Sequence, residues 1–148
     1  DGNTLFAIAS NSKAFTATAI GQLAEEKKLK LSDKVVDHLS YYKLYDNYTT
    51  QNETIEDLLC HRNGLGTFSG DLLWYATTKT PEEIISAQQY LKPKYDFRTR
   101  FGYSNISFLA AGMVLKEVAN TSWSKYITDQ FLTPLKMNRT LVSTDQIK

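Results

Sequence analysis

Cysteine is almost absent: Cys60 stands alone among 148 residues, so no disulfide can form within the chain. Two histidines with that one cysteine give no metal-ligand spacing, and no metal site is expected. An excess of one charge is also missing, with 17 basic and 16 acidic residues interleaved to a net +1. That balance leaves no electrostatic footprint for a nucleic acid or an anionic membrane as partner. Long apolar runs are lacking too. The longest, Phe108 to Ala111 and Met113 to Leu115 around Gly112, are far too short to cross a bilayer, and the chain is expected to be soluble as it stands. There is no internal repeat and no low-complexity tract. The chain starts at Asp1 without methionine and without a signal-peptide pattern, which reads as a processed or excised piece of something longer.

What is present suits one domain with a real core, since 42% of the residues are hydrophobic. From Ser10 to Lys28, Phe15, Ala19 and Leu23 recur at helical spacing with Ile20 beside them. Leu31 to Val36 reads as a cap with a short helical or extended segment, and the tyrosine-rich stretch from Tyr41 to Asn52 as a loop. Thr54-Ile55-Glu56-Asp57 is a capping-box pattern for a short helix, which Gly64 is expected to end in left-handed geometry. Thr80-Pro81-Glu82-Glu83 is a stronger start: an N-cap, a proline at the first helical position and a glutamate three residues after the cap. That helix should run to about Tyr90, followed by an extended or looped connection from Pro93 to Gly102. Ser104 or Asn105 caps a helix carrying Phe108, Leu109, Met113, Val114 and Val118. A last helix carries Trp123, Tyr126, Ile127, Phe131 and Leu132 before Pro134. The expected fold class is mainly α, with few convincing strands.

Two short stretches could carry chemistry. Ser10-Asn11-Ser12-Lys13 suits a helix start, where serine and asparagine cap well. The same spacing puts residues three apart on one helix face, within reach of each other, so Lys13 could serve Ser10 as its base. The helix dipole there also favours negative charge. Tyr103-Ser104-Asn105 at a second helix start reads on its own as a packed aromatic followed by a cap. The combination, Ser-x-x-Lys and then Tyr-x-Asn about ninety residues later, is the order of serine β-lactamase-like enzymes.

Three stretches then resemble the family of class C β-lactamases, DD-peptidases (penicillin-binding proteins) and related esterases. TLFAIASNSKAFTATAIGQLAEEKKLKLSDKV resembles its nucleophile segment, and TIEDLLCHRNGLGTF its helix leading into a His-x-x-Gly-Leu turn. FGYSNISFLAAGMVLKEVANTSWSKYITDQFLTPLKMNRT resembles its Tyr-x-Asn helix and the helix after it. The resemblance runs in order along nearly the whole chain. It implies Ser10 as the acylated nucleophile, Lys13 as its proton-relay partner and Tyr103 sharing the acid–base work. Asn105 would bind the substrate's acyl-side amide and the lysine, and the Ser10 backbone N–H would donate to the oxyanion. His61 and Gly64 read as scaffold beneath the site. No metal or organic cofactor is implied.

The departures narrow the expectation. The family's third motif, Lys-Thr-Gly or His-x-Gly on a strand, has no counterpart, because Lys79-Thr80-Pro81 has proline for glycine and opens a helix. Asn63 stands where the family usually has serine. Residues 1–148 therefore read as a single helical domain or fragment, the helical region of a β-lactamase-like α/β fold with most of the sheet outside this chain. The activity implied is a serine hydrolase acting through an acyl-enzyme on an amide, ester or β-lactam. The alternative is a non-catalytic binding or structural module derived from that family. A small molecule or peptide is the expected substrate, and self-association or a complementary chain could cover the sheet-facing side around Phe15, Phe108 and Leu109. The resemblance also implies a periplasmic or secreted location.

Overall fold

The computed structural model describes residues 2–147. Its α-helices, among the described residues, are α1 (Ser12–Glu25), α2 (Val35–His38), α3 (Asn47–Asn52), α4 (Ile55–Cys60), α5 (Pro81–Ala87), α6 (Asn105–Ala119) and α7 (Trp123–Ile127). The only β pairing among them is an isolated antiparallel bridge between Lys34 and Thr54. The mainly α expectation holds. Among the described residues no helix is long and apolar enough to cross a membrane.

Helix α6 is the axis of the packing. It buries Ile106, Ala110, Ala111, Met113, Val114 and Leu115 and packs on α1, α4, α5 and α7. Facing layers come from Ala19, Ile20 and Leu23 of α1, Ile55 and Leu58 of α4, and Ile84 and Ile85 of α5. Short side chains such as Ala19, Ala110 and Ala111, all without solvent exposure, let packed helices approach closely.

The start signals act as the sequence predicts. Thr54 and Asp57 form one capping box, Thr80 and Glu83 another, and Ser104 caps α6 by accepting from the Ser107 N–H. Three expectations need correction. The stretch from Tyr41 to Asn52 is not all loop: Asp46 accepts the Thr49 N–H at 2.7 Å and starts α3, a cap hidden among tyrosines. Helix α4 ends at His61, whose φ of 55° takes the left-handed position expected of Gly64. The last helix widens into a π turn over Thr128–Leu132 before Pro134. Around the side expected to face a sheet, Phe15, Phe108 and Leu109 are half-buried within the chain itself. Phe15 packs edge-on against Phe131, Leu109 lies partly buried on the core, and Phe108 stacks on His61 at 5.1 Å. Exposed apolar side chains include Phe6, 81% exposed, with Leu5 and Ile8 ahead of α1, and Leu72, 90% exposed.

Beneath the helices, Asp57 is fully buried and takes hydrogen bonds from Arg98, Arg62 and Thr54. Burial alone would raise its carboxyl, but Arg98 and Thr54 outweigh that and hold it below the usual range. Glu53 shows the opposite balance. Burial above all, with the nearby Asp57 charge, outweighs the hydrogen bond from Tyr42, with Asn63 and Arg98, and leaves its carboxyl pushed up to about 8. Between the ordinary glutamate value and 8 the folded chain therefore holds a proton that the unfolded chain releases, so stability falls as pH rises through that window. Glu53→Gln keeps an acceptor for Tyr42 without a charge. Its expected effect is higher stability at pH 8 and a flatter pH dependence, measured by urea unfolding at pH 5 and pH 8. Parallel curves for the two proteins would contradict this account.

Candidate active site

Ser10 lies in a 3₁₀ turn, Ala9–Asn11, that runs directly into α1. Neither Ile8, ahead of the turn, nor Asn11, ahead of α1, makes a side-chain cap, and the Ser10 hydroxyl is turned instead toward residues from the far end of the chain. The capping role that serine at a helix start suggests is therefore not what this serine performs. Ala9 precedes it at φ 45°, a left-handed conformation costing a residue with a Cβ roughly 1–2 kcal/mol.

The Ser10 Oγ is 2.6 Å from the Tyr103 hydroxyl and receives a hydrogen bond from Lys13 Nζ at 3.2 Å. Lys13 Nζ also donates to Asn105 Oδ1 at 2.8 Å and sits 4.7 Å from the centre of the Tyr103 ring. All four residues singled out in the sequence thus meet in one cluster, although more than ninety positions separate the two pairs. The Lys13 side chain, followed by the hydrogen bond to Ser10, lowers the Tyr103 phenol below the ordinary tyrosine value; burial and Asp71 oppose this more weakly.

His61 explains how Tyr103 is held. Its Nδ1 accepts the Ser104 N–H at 3.1 Å, so a neutral ring carries its proton on Nε2. Burial, then the nearby Lys13, lowers the imidazole's affinity for a second proton. The ring stacks between Tyr103 at 4.8 Å and Phe108 at 5.1 Å. The His61 ring thus braces Tyr103 from the end of α4. Asn63, the departure from the family's serine, is buried and donates to Ser107 Oγ while accepting the Leu65 N–H, so it supports the same turn.

Two site residues escaped the sequence reading. Asp71 accepts from Asn105 Nδ2 with both carboxylate oxygens, at 3.2 and 3.0 Å, and Trp74 donates its indole N–H to Asp71 at 3.2 Å. Nothing in Ser69-Gly70-Asp71-Leu72 marks a site, because no local spacing connects it to α6. Trp74, Ile84 and Leu109 wall a cleft of about 480 Å³ that opens onto Ala9, Ser10, Lys13 and Asn105. Among the described residues no group of three or more His, Cys, Asp or Glu side chains could hold a metal. The arrangement suits transfer of an acyl group to a hydroxyl: a serine oxygen, a phenol and an amine within hydrogen-bonding reach of it, and an apolar wall beside them.

Protein flp of Staphylococcus aureus is 35% identical over 144 residues, covering 93% of this chain and 28% of that protein. The penicillin-binding protein homologue from Pyrococcus abyssi superposes with a TM-score of 0.78 at 28% identity, covering 98% of this chain and 34% of that one. A D-stereospecific amidohydrolase from Streptomyces also gives 0.78, at 25% identity, covering 93% and 44%. The chain therefore spans less than half the length of the relatives it matches. The Beta-lactamase family model matches residues 1–148 throughout, and the chain belongs to that family.

Proposed function

We propose that this chain is the nucleophile-bearing part of a serine hydrolase that cleaves an amide, ester or β-lactam through an acyl-enzyme on Ser10. The observation that carries the reading is the Ser10 Oγ within hydrogen-bonding distance of both the Tyr103 hydroxyl and Lys13 Nζ. Ser10 Oγ attacks the substrate carbonyl carbon, and its proton passes to the Tyr103–Lys13 pair. The carbon–heteroatom bond then breaks, the leaving group takes up that proton, and an ester to Ser10 remains. Water, deprotonated by the same pair, releases the acid and restores the hydroxyl. Asn105 keeps Lys13 in reach and offers its carboxamide to the acyl side of the substrate. The Ser10 N–H serves as one oxyanion donor. A lowered Tyr103 phenol supports the base role, because more of it is deprotonated near neutral pH than for an ordinary tyrosine.

Relatives whose names include a penicillin-binding protein homologue and a D-stereospecific amidohydrolase support amides as the substrate class. A periplasmic or secreted location belongs to the same proposal and rests on the resemblance alone.

The test is covalent labelling of the full-length protein by a fluorophosphonate, with Ser10 identified by peptide mass spectrometry. Tyr103→Phe, Lys13→Ala and the double variant should be strongly non-additive in labelling rate, because the two side chains serve one proton transfer. Additive losses would argue against a shared relay. A folded protein that no acylating probe modifies would favour the binding-module alternative.

A further inference from the structure

We propose that Asp71 is a positioning residue for this site, fixing the rotation of the Asn105 carboxamide and, through it, the place of Lys13. The inference rests on the acylation reading of Ser10 only for its kinetic test.

A carboxamide has a donating and an accepting end, and α6 alone does not choose which one faces Lys13. With Asn105 Oδ1 toward Lys13 Nζ at 2.8 Å, the hydrogen bond is satisfied. A half-turn would set an NH2 group against the lysine, donor on donor, and would turn an oxygen toward the Asp71 carboxylate. Asp71 removes that alternative by taking Asn105 Nδ2 on both its oxygens, at 3.2 and 3.0 Å. Its carboxylate is itself held by the Trp74 indole N–H.

The backbone around Asp71 is built to dock there. Gly70, at φ 82°, makes the turn into Asp71, and a Cβ at Gly70 would lie 2.6 Å from a Leu91 methyl and 2.7 Å from an Ile106 methyl. Two residues earlier, the Phe68 N–H donates to the Tyr103 carbonyl at 2.8 Å. The segment is thus tied to the Tyr103–Asn105 stretch by backbone as well as by side chain. Around the Tyr103 hydroxyl the facing groups are Lys13 and Ser10 from the start of α1, Asp71 from this segment and the His61 ring from the end of α4. Asp71 is the group among them that supplies negative charge.

The experiment compares Asp71→Ala and Asp71→Asn with the wild type in the full-length protein. Fluorophosphonate labelling rates are measured from pH 6 to pH 10, and hydrogen exchange of the Asn105 side-chain amide is followed by NMR. Asp71→Ala should label slower by on the order of 100-fold, as a lysine and amide displaced by about 1 Å can cost that much. Asp71→Asn should recover most of the rate, since its carboxamide oxygen still accepts from Asn105, with its alkaline-rising limb moved to lower pH. Asn105 side-chain exchange should accelerate in Asp71→Ala. Wild-type rate and pH profile in Asp71→Ala would overturn the proposal, as would Asp71→Asn as slow as Asp71→Ala. If the wild type does not label at all, the acylation reading fails; undiminished protection of Asn105 in Asp71→Ala then overturns this proposal too, and lost protection supports it.

Discussion

Ser10→Ala is expected to abolish covalent labelling by a fluorophosphonate while leaving the helical circular dichroism and the melting temperature nearly unchanged. The first half follows from chemistry, since alanine offers no oxygen to acylate. The second half follows from where Ser10 sits. Its hydroxyl bonds only to Tyr103 and Lys13 at an exposed site, and it caps neither the 3₁₀ turn nor α1. Loss of a true serine cap would cost about 0.5–2 kcal/mol. An exposed serine outside any such role costs within about 0.5 kcal/mol. Labelling that persists on another residue of the alanine variant would remove Ser10 from the mechanism. A marked drop in melting temperature would return it to a structural role.

The second large effect is expected at Gly102. A Cβ built there would lie 1.9 Å from the Leu65 carbonyl oxygen, a backbone atom with no freedom to swing aside. The two segments are already locked together: the Gly102 N–H donates to the His61 carbonyl, the Arg98 N–H to the Arg62 carbonyl, and the Tyr95 N–H to the Gly64 carbonyl. Gly102→Ala must therefore separate these backbones, at a cost of about 1–3 kcal/mol by comparison with other overpacked sites. Because Gly102 adjoins Tyr103, the displacement should carry the phenol off Ser10 and lower the labelling rate by on the order of 100-fold. Thermal unfolding and labelling kinetics, compared with Tyr103→Phe, check both parts. Tyr103→Phe should lose rate with little loss of stability, whereas Gly102→Ala should lose both. A Gly102→Ala protein with wild-type melting and wild-type labelling would show that the contact relaxes freely.

The two effects differ in how visible their causes are in the sequence. Ser10 and Lys13 are three residues apart at a helix start, so their proximity is a local consequence of helical geometry. Tyr103 and Asn105 were legible only through the resemblance, since beside the Ser104 cap of α6 they read on their own as a packed aromatic and a cap. The close approach at Gly102 leaves no such trace, because the oxygen it must accommodate belongs to Leu65, and only the fold brings the two segments together.

The sequence by itself determined the helical character of the chain, the positions of the Thr54, Thr80 and Ser104 caps and the pairing of residues within each short motif. These depend on interactions between residues three or four apart, which a linear pattern records. It misjudged the end of α4 and overlooked α3, where His61 takes a left-handed conformation and Asp46 starts a helix. There packing outweighs propensity: His61 is held by its stack on Tyr103 and Phe108 and by the Ser104 N–H. Tertiary structure alone decided that Ser10 faces Tyr103 rather than its own helix, that Asp71 reaches Asn105, and that a buried Glu53 keeps its proton into neutral pH. Each of these depends on atoms far apart in sequence and on the exclusion of water between them, and the order of residues encodes that exclusion only through the completed fold.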